Sequence, residues 1–249
     1  MKITKTLLPS VIIILVFTSC KKEKSSDGNP SPSSKVKTYT ENIDYGGGNT
    51  DNATFNMTYD ANDRLVSMTS ASSPGDRFEY KYATGSFTMD LYNSNALSIH
   101  ETFFLNSKSL IDSTFQYNDT KDSSTEKYIY NSANQLITVK EYDYSKSTGA
   151  ILYNTTNYTY DNNGNVIKTT DDYSITTYEY YADLKNNLVF GTPYMQANKN
   201  LVKTTKSGTG SSAIILNHVY TFDASNRISI ETITFDSGEV ATRTYTYYD

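Results

Sequence analysis

The side chains with the most reactive chemistry are few in this chain of 249 residues: one cysteine, Cys20, and two histidines, His100 and His218. A nucleophile with a histidine base needs a recognisable Ser or Cys motif, and none lies near either histidine. A histidine-based metal site would need both rings to converge with carboxylates across 118 residues, which nothing in the sequence indicates. The sequence therefore predicts no catalytic residue, no metal site and no cofactor, and we expect the protein not to be an enzyme.

The stretch from Asp161 to Asn165 is rich in oxygen-bearing side chains and resembles part of a calcium-binding loop. In such a loop a glycine follows the fifth position, where Val166 stands here. Turn chemistry explains the stretch better, because Asp161 can accept hydrogen bonds from its own turn and Gly164 tolerates a positive φ. We therefore interpret it as a structural turn.

Tyrosine is the abundant group with binding potential, with 23 copies and no Trp. Tyrosine rings stack on sugar faces and also suit protein interfaces. In regular strands, however, they form cross-strand ladders that hold a sheet together, and we favour this for Tyr158 and Tyr160. Tyr194 and Met195 lie in the irregular stretch between Leu184 and Asn200, and they are the predicted ligand contacts.

A degenerate repeat positions most of these tyrosines. In each copy, alternating aromatic or aliphatic residues precede an acid or amide that opens a turn, here called the opener. The third residue after it tolerates a positive φ in most copies, and the fifth is always aliphatic, as in a hairpin loop built on a type I turn. The openers are Asp60, Asn106, Asn131, Asp161 and Asp223, and eroded copies are expected around Tyr80-Lys81-Tyr82 and Tyr178-Glu179-Tyr180.

The repeats predict an all-β fold without a convincing helix. We expect a dozen or more antiparallel strands in a hairpin meander that forms one curved sheet or an open half-barrel shell. The segment from Leu184 to Asn200 interrupts the rhythm and is expected to cross an end or edge of the sheet. A transmembrane barrel is disfavoured, because Thr, Ser, Asn and Lys stand at outward positions where lipid requires an apolar band.

The sequence Tyr158-x-Tyr160-Asp161-x-x-Gly164-x-Val166 resembles the bacterial YD repeat of Rhs-type and toxin-shell proteins. The region from residue 36 to 249 is also similar to a group of Bacteroidota lipoproteins built from YD-like hairpins. The resemblance implies the β architecture. It implies no enclosed passenger, because this chain is far too short to form a shell.

The first 19 residues predict a signal peptide, with Lys2 and Lys5 before a short apolar run. The run ends Phe17-Thr18-Ser19-Cys20, which resembles a lipobox and implies lipidation of Cys20. Residues 20–35 are polar and are predicted to form a flexible tether, followed by the β domain at 36–249.

Charge and targeting together predict the setting in which the protein works. The net charge is −5, and −7 without the basic leader, with no basic stripe, so nucleic acid is not an expected partner. We expect a lipoprotein of the cell envelope, held in the outer membrane on its periplasmic or surface side. Its β-scaffold would serve a structural role or bind an envelope protein; the alternative is carbohydrate binding through exposed tyrosines.

Overall fold

A computed structural model describes residues 35–118, 123–145, 149–188, 194 and 197–248. Cys20 and Met195 lie outside the described residues. No helix in these ranges is long and apolar enough to span a membrane. Apart from one 3-10 turn at Gly210–Ser212, the regular elements are sixteen strands: β1 Val36–Asp44, β2 Thr50–Tyr59, β3 Leu65–Ser70, β4 Arg77–Ala83, β5 Ser86–Asn93, β6 Ala96–Leu105, β7 Ile111–Asn118, β8 Ser123–Tyr130, β9 Leu136–Ser145, β10 Gly149–Tyr160, β11 Val166–Thr170, β12 Ile175–Lys185, β13 Asn200–Ser207, β14 Ile214–Phe222, β15 Ile228–Phe235 and β16 Val240–Tyr247.

The strands form one antiparallel meander, as predicted, but the sheet closes into a barrel. The predicted curved sheet or open half-barrel is wrong. β1 pairs with β16 from Val36 opposite Tyr247 to Asp44 opposite Val240, so neither end strand keeps a free edge. Hairpin patterns describe only neighbouring strands, whereas closure depends on the accumulated twist and stagger of the whole sheet.

Each of the five openers organises its turn through the same hydrogen bonds. In the turn at Asp161, the carboxylate Oδ1 accepts from the amides of Asn163 and Asn165 at 2.9 and 2.8 Å. The third residue after each opener has a positive φ, which reaches 87° at Gly164. Directly after the turn the register shifts by one residue, so that Tyr160 pairs with Val166. The same arrangement recurs at Asp60, Asn106, Asn131 and Asp223.

The tyrosine just before an opener links its hairpin to the preceding one. The Tyr160 hydroxyl donates to the carbonyl of Leu136, the first residue of β9, at 2.8 Å. Tyr82 and Tyr180, in the two eroded copies, make the same bond to Leu65 and Val166. Further bonds of this kind join Tyr59 to Val36, Tyr130 to Ile111 and Tyr247 to Ile228.

The antiparallel order places all five opener turns, the start of β1 and the end of β16 at one end of the barrel, here called the turn end. The hydrophobic cluster lies on the inner face near this end and includes Met57, Phe87 and Phe103. The irregular segment between β12 and β13 packs against this cluster, as Leu188 and Tyr194 show. The opposite end is called the far end.

Replacing Tyr160 with Phe should test the link between hairpins. The change leaves the ring in place and removes the bond to the Leu136 carbonyl. We expect a loss of about 0.5–1.5 kcal/mol in the free energy of unfolding, the usual net value of one hydrogen bond. Urea unfolding measures this loss, and Tyr144→Phe, at an exposed tyrosine on β9, is the matched control. Equal midpoints for both variants would contradict the linking role.

Candidate functional site

The two histidines lie on opposite faces of the barrel wall. His218, on β14, is buried among inward-facing side chains; its Nδ1 lies 2.9 Å from Glu231 Oε1 and its Nε2 lies 3.2 Å from Thr205 Oγ1. His100, on β6, points outward, with Nδ1 at 2.5 Å from Asp90 Oδ1. They do not form a joint site. Within the described residues, no group of three or more His, Cys, Asp or Glu side chains is arranged to hold a metal ion.

The inner histidine belongs to a network of paired charges. Arg243 Nε donates to Glu41 Oε1 at 2.8 Å, and Arg243 Nη1 lies 3.3 Å from Glu231 Oε2. Burial opposes the charged form of Glu231, but the hydrogen bond from His218 and the charge of Arg243 outweigh it and hold the pKa of Glu231 below its ordinary value. Paired and hydrogen-bonded charges of this kind are stable in a barrel interior.

Thr205, His218 and Glu231 stand in the order hydroxyl, imidazole, carboxylate, as in a nucleophile relay. Sequence reasoning missed this arrangement because the three residues come from three strands and carry no local motif. β13, β14 and β15 pair through this region, so the neighbouring backbone amides serve the sheet ladder and do not converge on the hydroxyl. The three side chains form a buried hydrogen-bonded network that joins β13, β14 and β15.

A second inner group, on β6, β8 and β9, contains three glutamates and no cation among the described residues. Glu126 lies opposite Glu141 across the sheet, and Asn154 donates to Glu141 at 3.1 Å. Burial, followed by repulsion from Glu126, raises the pKa of Glu101 to about 7. Burial also raises the pKa of Glu126. Burial and mutual repulsion therefore disfavour the charged forms of Glu101 and Glu126.

The outer face of the barrel has two chemically different flanks. From β16 through β1 to β3 it carries short hydroxyl and amide side chains, and hydroxyl pairs bridge the strands at Thr38–Thr246, Thr40–Thr54 and Thr58–Ser67. Exposed large apolar side chains are concentrated instead on strands β6 to β10. A cluster of exposed apolar groups on one side of a protein typically marks an interaction surface.

On this second flank large aromatic side chains on two strands flank small side chains on the strand between them, an arrangement here called the outer groove. One wall is Phe115 and Tyr117 on β7, which are 41% and 39% exposed, and the other is Tyr142 and Tyr144 on β9. The floor between them is the pair of small residues Ser123 and Thr125 on β8. The pairing register sets Tyr117, Ser123 and Tyr144 in one row and Phe115, Thr125 and Tyr142 in the next. The outer groove is the candidate binding site.

The outer histidine braces one wall of this groove. The His100 ring stacks on Tyr117 with centroids 4.9 Å apart. Asp90, which is only 5% exposed, holds the imidazole from one side, and Thr102 Oγ1 lies 3.2 Å from its Nε2. Burial opposes the ionised form of Asp90, yet its hydrogen bonds from His100 and Lys81 keep its pKa below the ordinary value. Tyr117 is therefore held in a defined orientation.

The predicted contact residue Tyr194 is not in this groove. It lies at the turn end with a φ of 69°, half-buried, and its ring centroid is 5.6 Å from that of Phe87. The predicted turn residues Asp60, Asn131, Asp161, Gly164 and Asp223 all lie in hairpin turns.

A shallow cleft of about 340 Å³ lies beside the Asp161 turn. Its two buried asparagines bond to each other: Asn165 Nδ2 lies 3.3 Å from Asn200 Oδ1, and the backbone amide of Asn200 donates to Asn165 Oδ1 at 2.9 Å. Asn200 Nδ2 also donates to the carbonyls of Tyr181 and Ala182, where β12 bulges away from β13. The cleft is a by-product of this bulge.

Comparison with solved structures places the fold among closed β-barrels. The chain is similar to a porin-like protein of Bacteroides uniformis, with a TM-score of 0.65, 13% identity and coverage of 87% of this chain and 99% of that chain. A porin-like protein of Bacteroides vulgatus gives a TM-score of 0.59, 11% identity and coverage of 86% and 98%. At these identities the likeness shows the fold alone.

A structure of the TcdB2–TccC3–Cdc42 complex aligns with 76% of this chain and 9% of that chain, at a TM-score of 0.23, which carries no argument. No family model and no curated protein matches the chain. The YD-repeat resemblance therefore stays an interpretation.

Replacing Glu101 with Gln should change how stability depends on pH. The folded-state pKa of about 7 lies above the ordinary value of 4.5, so the folded state binds more protons between these values and stability falls as pH rises through this window. The stability of the variant should therefore fall less over the same pH window. At pH 8 we expect a melting temperature about 3 °C higher than in the wild type, equivalent to about 1 kcal/mol.

Calorimetry at pH 5 and pH 8 measures this difference, and Glu179→Gln, at an exposed position on β12, controls for net charge. If the melting temperature changes equally between pH 5 and pH 8 in the wild type and in Glu101→Gln, the raised pKa of Glu101 is contradicted.

Proposed function

We propose that this protein is a lipid-anchored β-barrel of the bacterial cell envelope that stands outside the bilayer and binds a ligand in its outer groove. The observation that carries the proposal is the division of the outer face into an aromatic flank and a hydroxyl flank. A barrel embedded in lipid requires an apolar band around its whole circumference. The flank from β16 to β3 supplies Thr, Asn and Ser instead, so attachment falls to the N-terminal lipid implied at Cys20.

The direction of the barrel relative to the anchor supports this arrangement. β1 starts at Val36 at the turn end, so the tether of residues 20–35 joins the barrel there. Tyr117 and Tyr144 lie close to the far end, because β7 and β9 both run toward it. From Ile111 to Tyr117 the strand covers roughly 20 Å at about 3.3 Å per residue. The groove would therefore open on the side that faces away from the membrane.

A cell-fractionation experiment separates the anchored barrel from a membrane-spanning one. The full-length protein should partition into the detergent phase and Cys20→Ala into the aqueous phase, because the outer face offers no complete lipid-facing band. The control Ser25→Ala, in the tether, should behave as wild type. If Cys20→Ala stays in the detergent phase and residues 21–249 produced without the leader do so too, the lipid anchor is wrong and the barrel itself inserts into the bilayer.

Binding in the groove is tested on the same soluble Cys20→Ala protein by co-sedimentation with delipidated envelope fragments. Combining Phe115→Ala with Tyr144→Ala should reduce the bound fraction at least tenfold, because both walls lose an exposed ring. Val219→Ala, an exposed apolar residue on β14 outside the groove, is the matched control. Equal retention of all three proteins would place binding elsewhere.

A further inference from the structure

We propose that the outer groove binds an extended carbohydrate chain that carries carboxylate groups; this rests on the proposed function and specifies its ligand. The first argument is the shape of the groove. Its walls stand on β7 and β9, two strand spacings apart, or about 9–10 Å. The floor residue of each row, Ser123 or Thr125, is smaller than the rings on either side. The groove is therefore open along its length and wide enough for a single extended chain.

The side chains of the groove suit sugar rings better than peptide or lipid. The aromatic faces of Tyr117 and Tyr144 offer stacking surfaces, and the hydroxyls of Ser123 and Thr125 offer hydrogen bonds along the floor. An extended peptide gains most of its affinity by adding to a free strand edge. β7, β8 and β9 are paired on both sides, so no such edge exists here. An acyl chain would leave the floor hydroxyls without partners.

Positive charge at the end of the outer groove nearer the turn end favours an acidic sugar. Lys127 on β8 lies directly opposite Lys140 on β9, in the row next to Thr125 and Tyr142. Like charges directly opposite each other destabilise a sheet. Neither lysine forms an ion pair with a described residue, and Lys127 Nζ lies 6.0 Å from the centroid of Tyr142. In a chain of net charge −5, these two cations, which pair with no carboxylate of the described residues, lie in line with the aromatic walls and match carboxylates on a sugar chain.

The wall on β7 is preorganised for this role. The stack of His100 on Tyr117, fixed by Asp90 and Thr102, orients the ring before a ligand arrives. Lys81 on β4 donates to Asp90 at 3.0 Å and so helps to fix the carboxylate that holds His100. Binding therefore loses little side-chain freedom on this wall, which favours affinity for a flexible chain.

The probes are oligomers of polygalacturonate and alginate, which are linear uronates, and methyl-esterified polygalacturonate, which has the same backbone without the charge. Isothermal titration with purified full-length protein should detect binding of the acid forms that weakens with salt, and at least tenfold weaker binding of the ester. The double change Lys127→Met and Lys140→Met should remove the preference for the acid form. Phe115→Ala with Tyr144→Ala should weaken both forms at least tenfold, and Val219→Ala should change neither. Unchanged melting temperatures show that the variants fold.

Three results would overturn the proposal. Equal binding of acid and ester would refute the carboxylate requirement. Failure of both uronates, with groove-dependent binding to anionic phosphatidylglycerol vesicles, would identify a membrane surface as the occupant. Failure of the uronates while envelope fragments still bind through the groove would refute the carbohydrate and leave the proposed function standing. If neither the uronates nor the envelope fragments bind through the groove, the proposed function itself is refuted.

Discussion

The hydrogen bond from a tyrosine hydroxyl to the first carbonyl of the preceding return strand joins the hairpins of this barrel. A hairpin alone is marginal in water, and its turn, however well organised, secures only two strands. The tyrosine before three of the openers, Asp60, Asn131 and Asp161, reaches past its own hairpin to the one before it, as Tyr160 does to Leu136. Tyr248 makes a related bond across the closing strands to the carbonyl of Met57 on β2. These bonds therefore connect several neighbouring hairpins at one end of the barrel.

The tyrosine bonds lie at the turn end, and the interior of the barrel divides along its axis. Near the turn end the ladder tyrosines and the hydrophobic cluster fill the inner face, and Leu188 and Tyr194 pack against the cluster. Further along, the inner face becomes polar. One side carries Arg243, which pairs with Glu41 and Glu231, and the other carries Glu101 and Glu126, which pair with no cation among the residues that the structure describes. The apolar layer supplies the stability that these polar groups need.

Local features of the fold follow from the sequence because their causes are local. The opener, the positive-φ residue and the aliphatic residue that starts the return strand act within ten residues, so even the divergent copies at Asn106 and Asn131 predict their turns. Closure depends on the fit between strands at opposite ends of the chain, and no short pattern contains that information. For the same reason an open shell and a barrel look identical in sequence.

The candidate site was not predictable for a related reason. Phe115, Tyr117, Tyr142 and Tyr144 each look like ordinary strand residues, and only the register brings them to the two sides of Ser123 and Thr125. Tyr194 drew attention because its segment breaks the repeat, yet its ring packs on Phe87 at the turn end. The alternation of Glu126 with Lys127 does indicate opposite faces, but only the structure tells which face is inside.

The pairing of β1 with β16 also sets the order in which the protein can fold. Thr38 and Thr246, which share a hydrogen bond, are 208 positions apart. Contacts between such distant residues form late, because the chain entropy lost on joining them is not offset until most neighbouring strands are in place. Until β16 arrives, β1 and β15 remain as two open edges able to pair with other chains. In a chain that crosses a membrane N-terminus first, these edges would stay unpaired until the C-terminal strand emerges. Pairing of β16 with β1 and β15 therefore ends the stage at which the protein is prone to aggregate.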